Sequence, residues 1–163
     1  MRLESYVEGS QIVTRAICLT PHTVGSIDEG SSALAVRDTG GFAGTDPVLV
    51  EDAGYEGGHL STTISSISGN VFTLAAPARA TVRRVVVGKL VDPGSVTFTV
   101  RNGDGTPVVY EDGDPEVSNP SDGVWELRLQ SAEGEWQVHF QGTSPCVCAA
   151  ETGYRIPHAR ALG

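Results

Sequence analysis

Apolar and polar residues alternate with a period of two over much of the last third of this chain. Between positions 124 and 129, Trp125, Leu127 and Leu129 share one face. Between positions 135 and 141, Trp136, Val138 and Phe140 share one face, and Glu135, Gln137, His139 and Gln141 the other. Positions 96–101 alternate in the same way. This pattern predicts strands with one buried and one solvated face, the walls of an antiparallel sandwich. The polar stretch 130–134, ending in Gly134, reads as a hairpin loop joining the two Trp strands.

The remaining elements follow from turn chemistry. Residues 5–20 read as one β-rich segment bent at Gly9-Ser10. Short strands are expected at 33–37 and 48–50, with turns at 38–41, 44–47 and 52–58. Residues 60–68 and 71–74 are joined by Gly69-Asn70, a type II′ hairpin signal because Gly takes positive φ at little steric cost. Pro77 keeps 75–80 a loop, and 81–91 is one more strand. Asp92-Pro93-Gly94 and residues 102–106 are turns, with a strand at 108–110 after the second. An acidic loop over 112–123 carries a short edge candidate at Val117. Tyr154-Arg155-Ile156, stopped by Pro157, is the last strand candidate. No apolar stripe keeps a 3.6-residue period over ten positions, so no long helix is expected and the fold class is all-β.

Residues 92–157 hold about five such strands, few for a sandwich, and segment 5–20 has no nearby partner. Pairing the two completes a two-sheet fold. The expected organisation is a discontinuous sandwich from 1–20 and 91–163. A small β module, 21–90, is then inserted between its first and second strands. Such insertions are tolerated because loop-closure entropy grows slowly with length.

Composition narrows the function classes. The chain has 163 residues, room for one domain or two small ones. Its 11 basic against 20 acidic residues give a net charge of -9, which repels nucleic acid. Arg79, Arg83 and Arg84, beside a Val run, read as a solvated strand edge or an intermolecular salt-bridge patch. No apolar run is long enough for a membrane span, and the first residues lack the apolar core of a secretory signal. Neither nucleic acid nor membrane is an expected partner.

Candidate chemistry is sparse. Cys146 and Cys148, two apart, would point the same way in a strand, as a metal site or an interchain disulfide requires. The spacing is not the CxxC type that marks zinc, and Cys also behaves as a small buried hydrophobe. The three thiols, Cys18 included, are therefore read as free and partly buried. His22, His59, His139 and His158 show no metal-ligand spacing, and no nucleophile elbow or P-loop occurs. The acidic turns at 102–105 and 111–114 could seat calcium, although Asp, Asn and Gly are also what tight turns demand. No catalytic residue, metal or cofactor is assigned, and the chain is not expected to be an enzyme.

A frame of short motifs adds a resemblance. Tyr6, Gly9, Asp92-Pro93, Val96 to Arg101, Asp104-Gly105-Thr106, Tyr110, Gly123-Val124-Trp125, Gly134-Glu135-Trp136, Gly142-Thr143 and Ala149-Ala150-Glu151 together resemble small tailed-bacteriophage virion proteins. These carry an Ig-like antiparallel β-sandwich. Residues 50–64 with 68–74 are similar to short β modules of phage tail spikes and fibres, which act as connectors or trimer caps. The resemblance implies a structural virion protein, synthesised in the host cytoplasm. It would be a homo-oligomer docked on capsid, portal, neck/collar or tail proteins. The alternative is a carbohydrate-binding β-sandwich for host-surface attachment, with Tyr55 and Tyr110 as its candidate aromatics.

Overall fold

The computed structural model describes residues 1–103 and 105–156. Asp104, the Pro157 stop and His158 lie outside the described residues. The first two strands are β1 (Arg2–Glu8) and β2 (Gln11–Ile17). They are followed by β3 (Leu19–Ile27), β4 (Ala33–Val36), β5 (Pro47–Val50), β6 (Leu60–Ser68), β7 (Val71–Leu74) and β8 (Val82–Leu90). The last six are β9 (Val96–Asn102), β10 (Val108–Glu111), β11 (Val117–Ser121), β12 (Val124–Gln130), β13 (Gly134–Gly142) and β14 (Cys148–Ile156). A single 3-10 turn, Tyr55–Gly57, is the only helical element among the described residues. The chain divides into two units: Met1–Cys18 with the described residues from Asp92 onward, and Leu19–Val91.

The first unit holds two four-stranded antiparallel sheets, ordered β1-β2-β12-β11 and β10-β9-β13-β14. Glu8 pairs with Gln11 across the two-residue turn Gly9-Ser10, and Gly9 sits at φ +60°, where a side chain would be strained. Residues 5–20 are therefore not one bent strand. They hold a hairpin and the start of β3, and only β2 pairs into the C-terminal set, along its whole length against β12. Consequently the second unit enters between the second and third strands of this unit, not between its first and second.

The two Trp strands are also not a hairpin. β12 pairs with β2 and β11, whereas β13 pairs with β9 and β14. The polar stretch after β12 crosses from one sheet to the other, with Ser131 N donating to Ser10 O at 2.8 Å. A hairpin would place both apolar rows on a single sheet face. The crossover instead contributes one row to each sheet. Trp125 and Leu127 are buried in one, Val138 and Phe140 in the other. Phe98 and Phe140, directly paired on β9 and β13, meet edge-to-face with centroids 4.9 Å apart. Trp136, at the strand's start, is only half-buried and stacks on Tyr154, its partner on β14. β14 begins at Cys148 and is three times the length expected from residues 154–156. In its Ala-Ala-Glu-Thr-Gly portion only Thr152 favours a strand, and the segment is held by the ladder to β13.

The second unit is a closed six-stranded antiparallel barrel, ordered β3-β4-β7-β6-β5-β8. Closure leaves no unpaired edge within it. Its interior is filled by Ile27, Leu34, Val36, Val48, Val50, Ile64, Phe72, Leu74 and Val87. The short strands β4 and β7 alternate exposed and buried residues, as a half-solvated wall requires. Ser68 pairs with Val71 across Gly69-Asn70, and Gly69 sits at φ +56° with Asn70 outside the left-handed region, the geometry a II′ turn needs.

Candidate functional site

Three places in the first unit bring chemistry-bearing side chains together. The first is a thiol cluster. Cys18 follows β2, Cys146 lies in the turn after β13, and Cys148 opens β14. Cys18 Sγ is 3.8 Å from Cys148 Sγ, and Cys146 Sγ is 3.9 Å from Cys148 Sγ. All three sulfurs lie within 4.8 Å of one another. Cys18 and Cys146 are fully buried, whereas Cys148 is partly exposed. Burial, and after it the neighbouring sulfurs, raises the Cys18 thiol pKa far above its ordinary range, and burial first lifts that of Cys146 to about 11.

Backbone geometry makes room for this cluster. Gly142 pairs with Cys148 across the β13–β14 ladder. A Cβ at position 142 would stand 3.0 Å from Cys148 Sγ, 3.1 Å from Pro93 Cβ and 3.2 Å from Cys146 O. Cys18 N donates to Gly123 O at 2.7 Å, which fixes the third thiol from the opposite sheet's β11–β12 turn.

The second place is a charge network on the outer face of the β1-β2-β12-β11 sheet. Glu126 is 4 % exposed. Its Oε1 accepts from Arg15 Nε at 2.9 Å and Nη2 at 2.5 Å, and its Oε2 from Arg128 Nη2 at 2.9 Å. Arg128 also donates to Glu8 at 2.5 Å, and the Arg15 guanidinium lies over the Tyr6 ring. Burial alone would raise the Glu126 carboxyl. Hydrogen bonds from the two guanidiniums outweigh it and hold the group below its ordinary range. Alternation would have set Glu126 in water. Arg15, its register partner on β2, and Arg128, two residues along β12, cover it instead.

The third place is a groove of about 570 Å³ lined by Gln11, Tyr110, Glu116, Arg128, Gln130 and Trp136, among others. The Trp136 indole N–H donates to Ala132 O at 2.9 Å, so its ring is held in place while part of it stays open. Beside the groove runs β10, paired among the described residues only with β9, whose Val108 and Val109 are 51 % and 53 % exposed.

Other expected sites are used locally. Tyr55 is 78 % exposed, but it sits on the barrel, apart in sequence and unit from Tyr110. Asp114 Oδ2 accepts from Glu111 N at 2.7 Å, so this carboxylate closes its own turn. The 102–105 turn is closed by Gly105 N to Asn102 O at 3.0 Å. His59 accepts from Asp52 N, and His139 lies in a shallow depression beside Arg101 and Glu151. Arg83 is ion-paired to Asp28 and caps Ile27 O at 3.1 Å, while Arg84 sits at φ +56° in a bulge of β8. Comparisons with family models, curated proteins and solved structures find no match.

Proposed function

We propose that this chain is a structural protein of a tailed phage or phage-like particle, acting by protein–protein docking as a homo-oligomer. The observation that carries the reading is the strand order. Numbered within the sandwich unit alone, the sheets run 1-2-6-5 and 4-3-7-8. This order supports an Ig-like reading, in which strands ABED face C′CFG. The resemblance drawn from the sequence motifs leads to the same sandwich class. The insertion of a complete barrel between strands B and C supports a scaffold-and-module role. The edge at β10, with its exposed valines and no second neighbouring strand among the described residues, is suited to contact with a neighbouring subunit.

The test is to purify particles from infected or induced cells carrying the gene and to measure the chain against the major capsid protein by quantitative mass spectrometry. The expected result is a fixed copy number per particle, with the free chain sedimenting as an oligomer. Absence from particles together with a monomer at every concentration would reject the reading.

One observation favours a second reading, carbohydrate binding. Trp136 and Tyr110 flank a groove whose other walls carry Gln11, Gln130, Glu116 and Arg128, the mixture of ring faces and planar polar groups that sugars use. A glycan array probed with the wild type and with Trp136→Ala separates the two. Binding lost in the variant supports attachment to host-surface sugars, and no binding by the wild type removes this reading.

A further inference from the structure

The three cysteines come from positions 18, 146 and 148, yet they converge on one point of the sandwich. A soft d10 cation bound by thiolates has metal–sulfur bonds of about 2.3 Å. Simple geometry then sets the sulfur–sulfur edge at about 3.8 Å for tetrahedral and about 4.0 Å for trigonal placement. The two shortest edges in the cluster are 3.8 Å and 3.9 Å, and the third does not exceed 4.8 Å. A disulfide, by contrast, would need one pair to close to about 2.05 Å and would strand the remaining sulfur beside it.

Two further features belong to a built site. The glycine at 142 leaves the space that the Cys148 sulfur occupies, and any side chain there would press on it. The cluster is also graded in exposure. Cys18 and Cys146 close it on the protein side, and the partly exposed Cys148 marks the side from which an ion or an outer ligand can enter. Among the described residues no His, Asp or Glu joins the three sulfurs. The donor set is thus all-thiolate, which selects soft cations over calcium or magnesium.

We propose that Cys18, Cys146 and Cys148 form a three-thiolate binding site for a zinc-type soft d10 cation, with the fourth position left to an external ligand. One divalent ion replaces three thiol protons, and no electron is transferred. The bound ion ties the end of β2, the turn after β13 and the start of β14 to one centre. It therefore acts as a local staple at the point where the chain leaves the sandwich for the barrel. This inference does not depend on the particle reading above.

The experiment uses the full chain, reduced and freed of metal under anaerobic conditions. Zn(II) affinity is read by competition with a chromophoric chelator, and Cd(II) by its sulfur-to-cadmium charge-transfer absorption. The expected result is one ion per chain, with a raised melting temperature and strongly slowed reaction of all three thiols with a disulfide reagent. Cys148→Ser, at the exposed position, should retain the fold by circular dichroism and lose at least tenfold in affinity. The thiol-protection measurement needs no variant and decides the matter if a substituted chain fails to fold. Zn(II) that neither protects the wild-type thiols nor loses affinity in Cys148→Ser would overturn the proposal. So would a reduced chain that binds no Zn(II) and purifies without reductant as a Cys18–Cys148 disulfide, lighter by two hydrogens.

Discussion

Arg15 and Glu126 face each other directly across the β2–β12 ladder, with Arg15 Nη2 2.5 Å from Glu126 Oε1. The carboxylate is almost wholly buried, yet each guanidinium that holds it keeps about a third of its side chain in water. Removing the charge would leave two guanidiniums aimed at a neutral group. Glu126→Gln is expected to cost about 1–3 kcal/mol, below the range for a fully buried pair, because solvent screens both partners. A urea midpoint unchanged from the wild type would contradict this.

The same network sets an acid limit. The Glu126 carboxyl is depressed in the folded chain relative to its ordinary 4.5. Its contribution is therefore complete above the unfolded pKa and is lost as pH falls below it toward the folded value. Glu4, Glu8 and Tyr6 on β1 face the same guanidiniums and leave the sign unchanged. Stability measured from pH 7 down to pH 3 should fall more steeply for wild type than for Glu126→Gln. Parallel curves would show that Glu126 is not the group responsible.

Much of the strand content was legible in the sequence, as were the pairing of segment 5–20 with the C-terminal set and the Gly69-Asn70 hairpin, but the partners of the two Trp strands were not. Alternation at Val96, Phe98 and Val100, or the Gly69-Asn70 reversal, is written in neighbouring residues and appears in the fold as expected. Sheet membership is not local. Trp125 and Trp136 carry the same alternation whether their strands form one hairpin or face each other across a core. Their short polar connection permits either. Cys18 meets Cys148 across 130 positions, and nothing near either residue signals the other. Glu126 departs from its pattern because Arg15 on β2 joins Arg128 of its own strand over it, and the Arg15 contact is a fact of register that period-two reasoning does not contain.

Position along β13 separates two aromatic substitutions. Phe140 is fully buried and packed on Phe98, so Phe140→Ala should cost about 3–5 kcal/mol. Trp136 is half-buried at the strand's start, and its lost contacts are chiefly the Tyr154 stack and one hydrogen bond. Trp136→Ala should cost about 1–2 kcal/mol, the worth of one such stack and one such bond. Equal destabilisation in chemical denaturation would place Trp136 in the core instead.

The barrel should be removable. Leu19 and Leu90 are paired Cα partners at its open end, so the chain enters and leaves within about 5.5 Å. Replacing residues 19–91 with a Gly/Ser linker of about four residues should leave the first unit folding cooperatively. Residues 19–91 alone should fold as well, since their core is drawn entirely from within the barrel. Loss of a cooperative transition in both fragments would mean that neither unit folds by itself.

Tyr154 supplies the last prediction. Its hydroxyl is buried and has no hydrogen-bond partner among the described residues, and burial raises its pKa far above the ordinary phenol value. An unpaired buried hydroxyl costs about 1–3 kcal/mol of desolvation, whereas the ring's stack on Trp136 needs only the aromatic face. Tyr154→Phe keeps the ring, removes the oxygen and leaves no donor or acceptor behind. The variant should be as stable as wild type or up to about 1 kcal/mol more stable. The comparison is a pair of urea melts monitored by Trp fluorescence, which also reports whether the Trp136 environment is preserved. A destabilisation above about 1 kcal/mol with unchanged fluorescence would show that the hydroxyl has a favourable partner in solution.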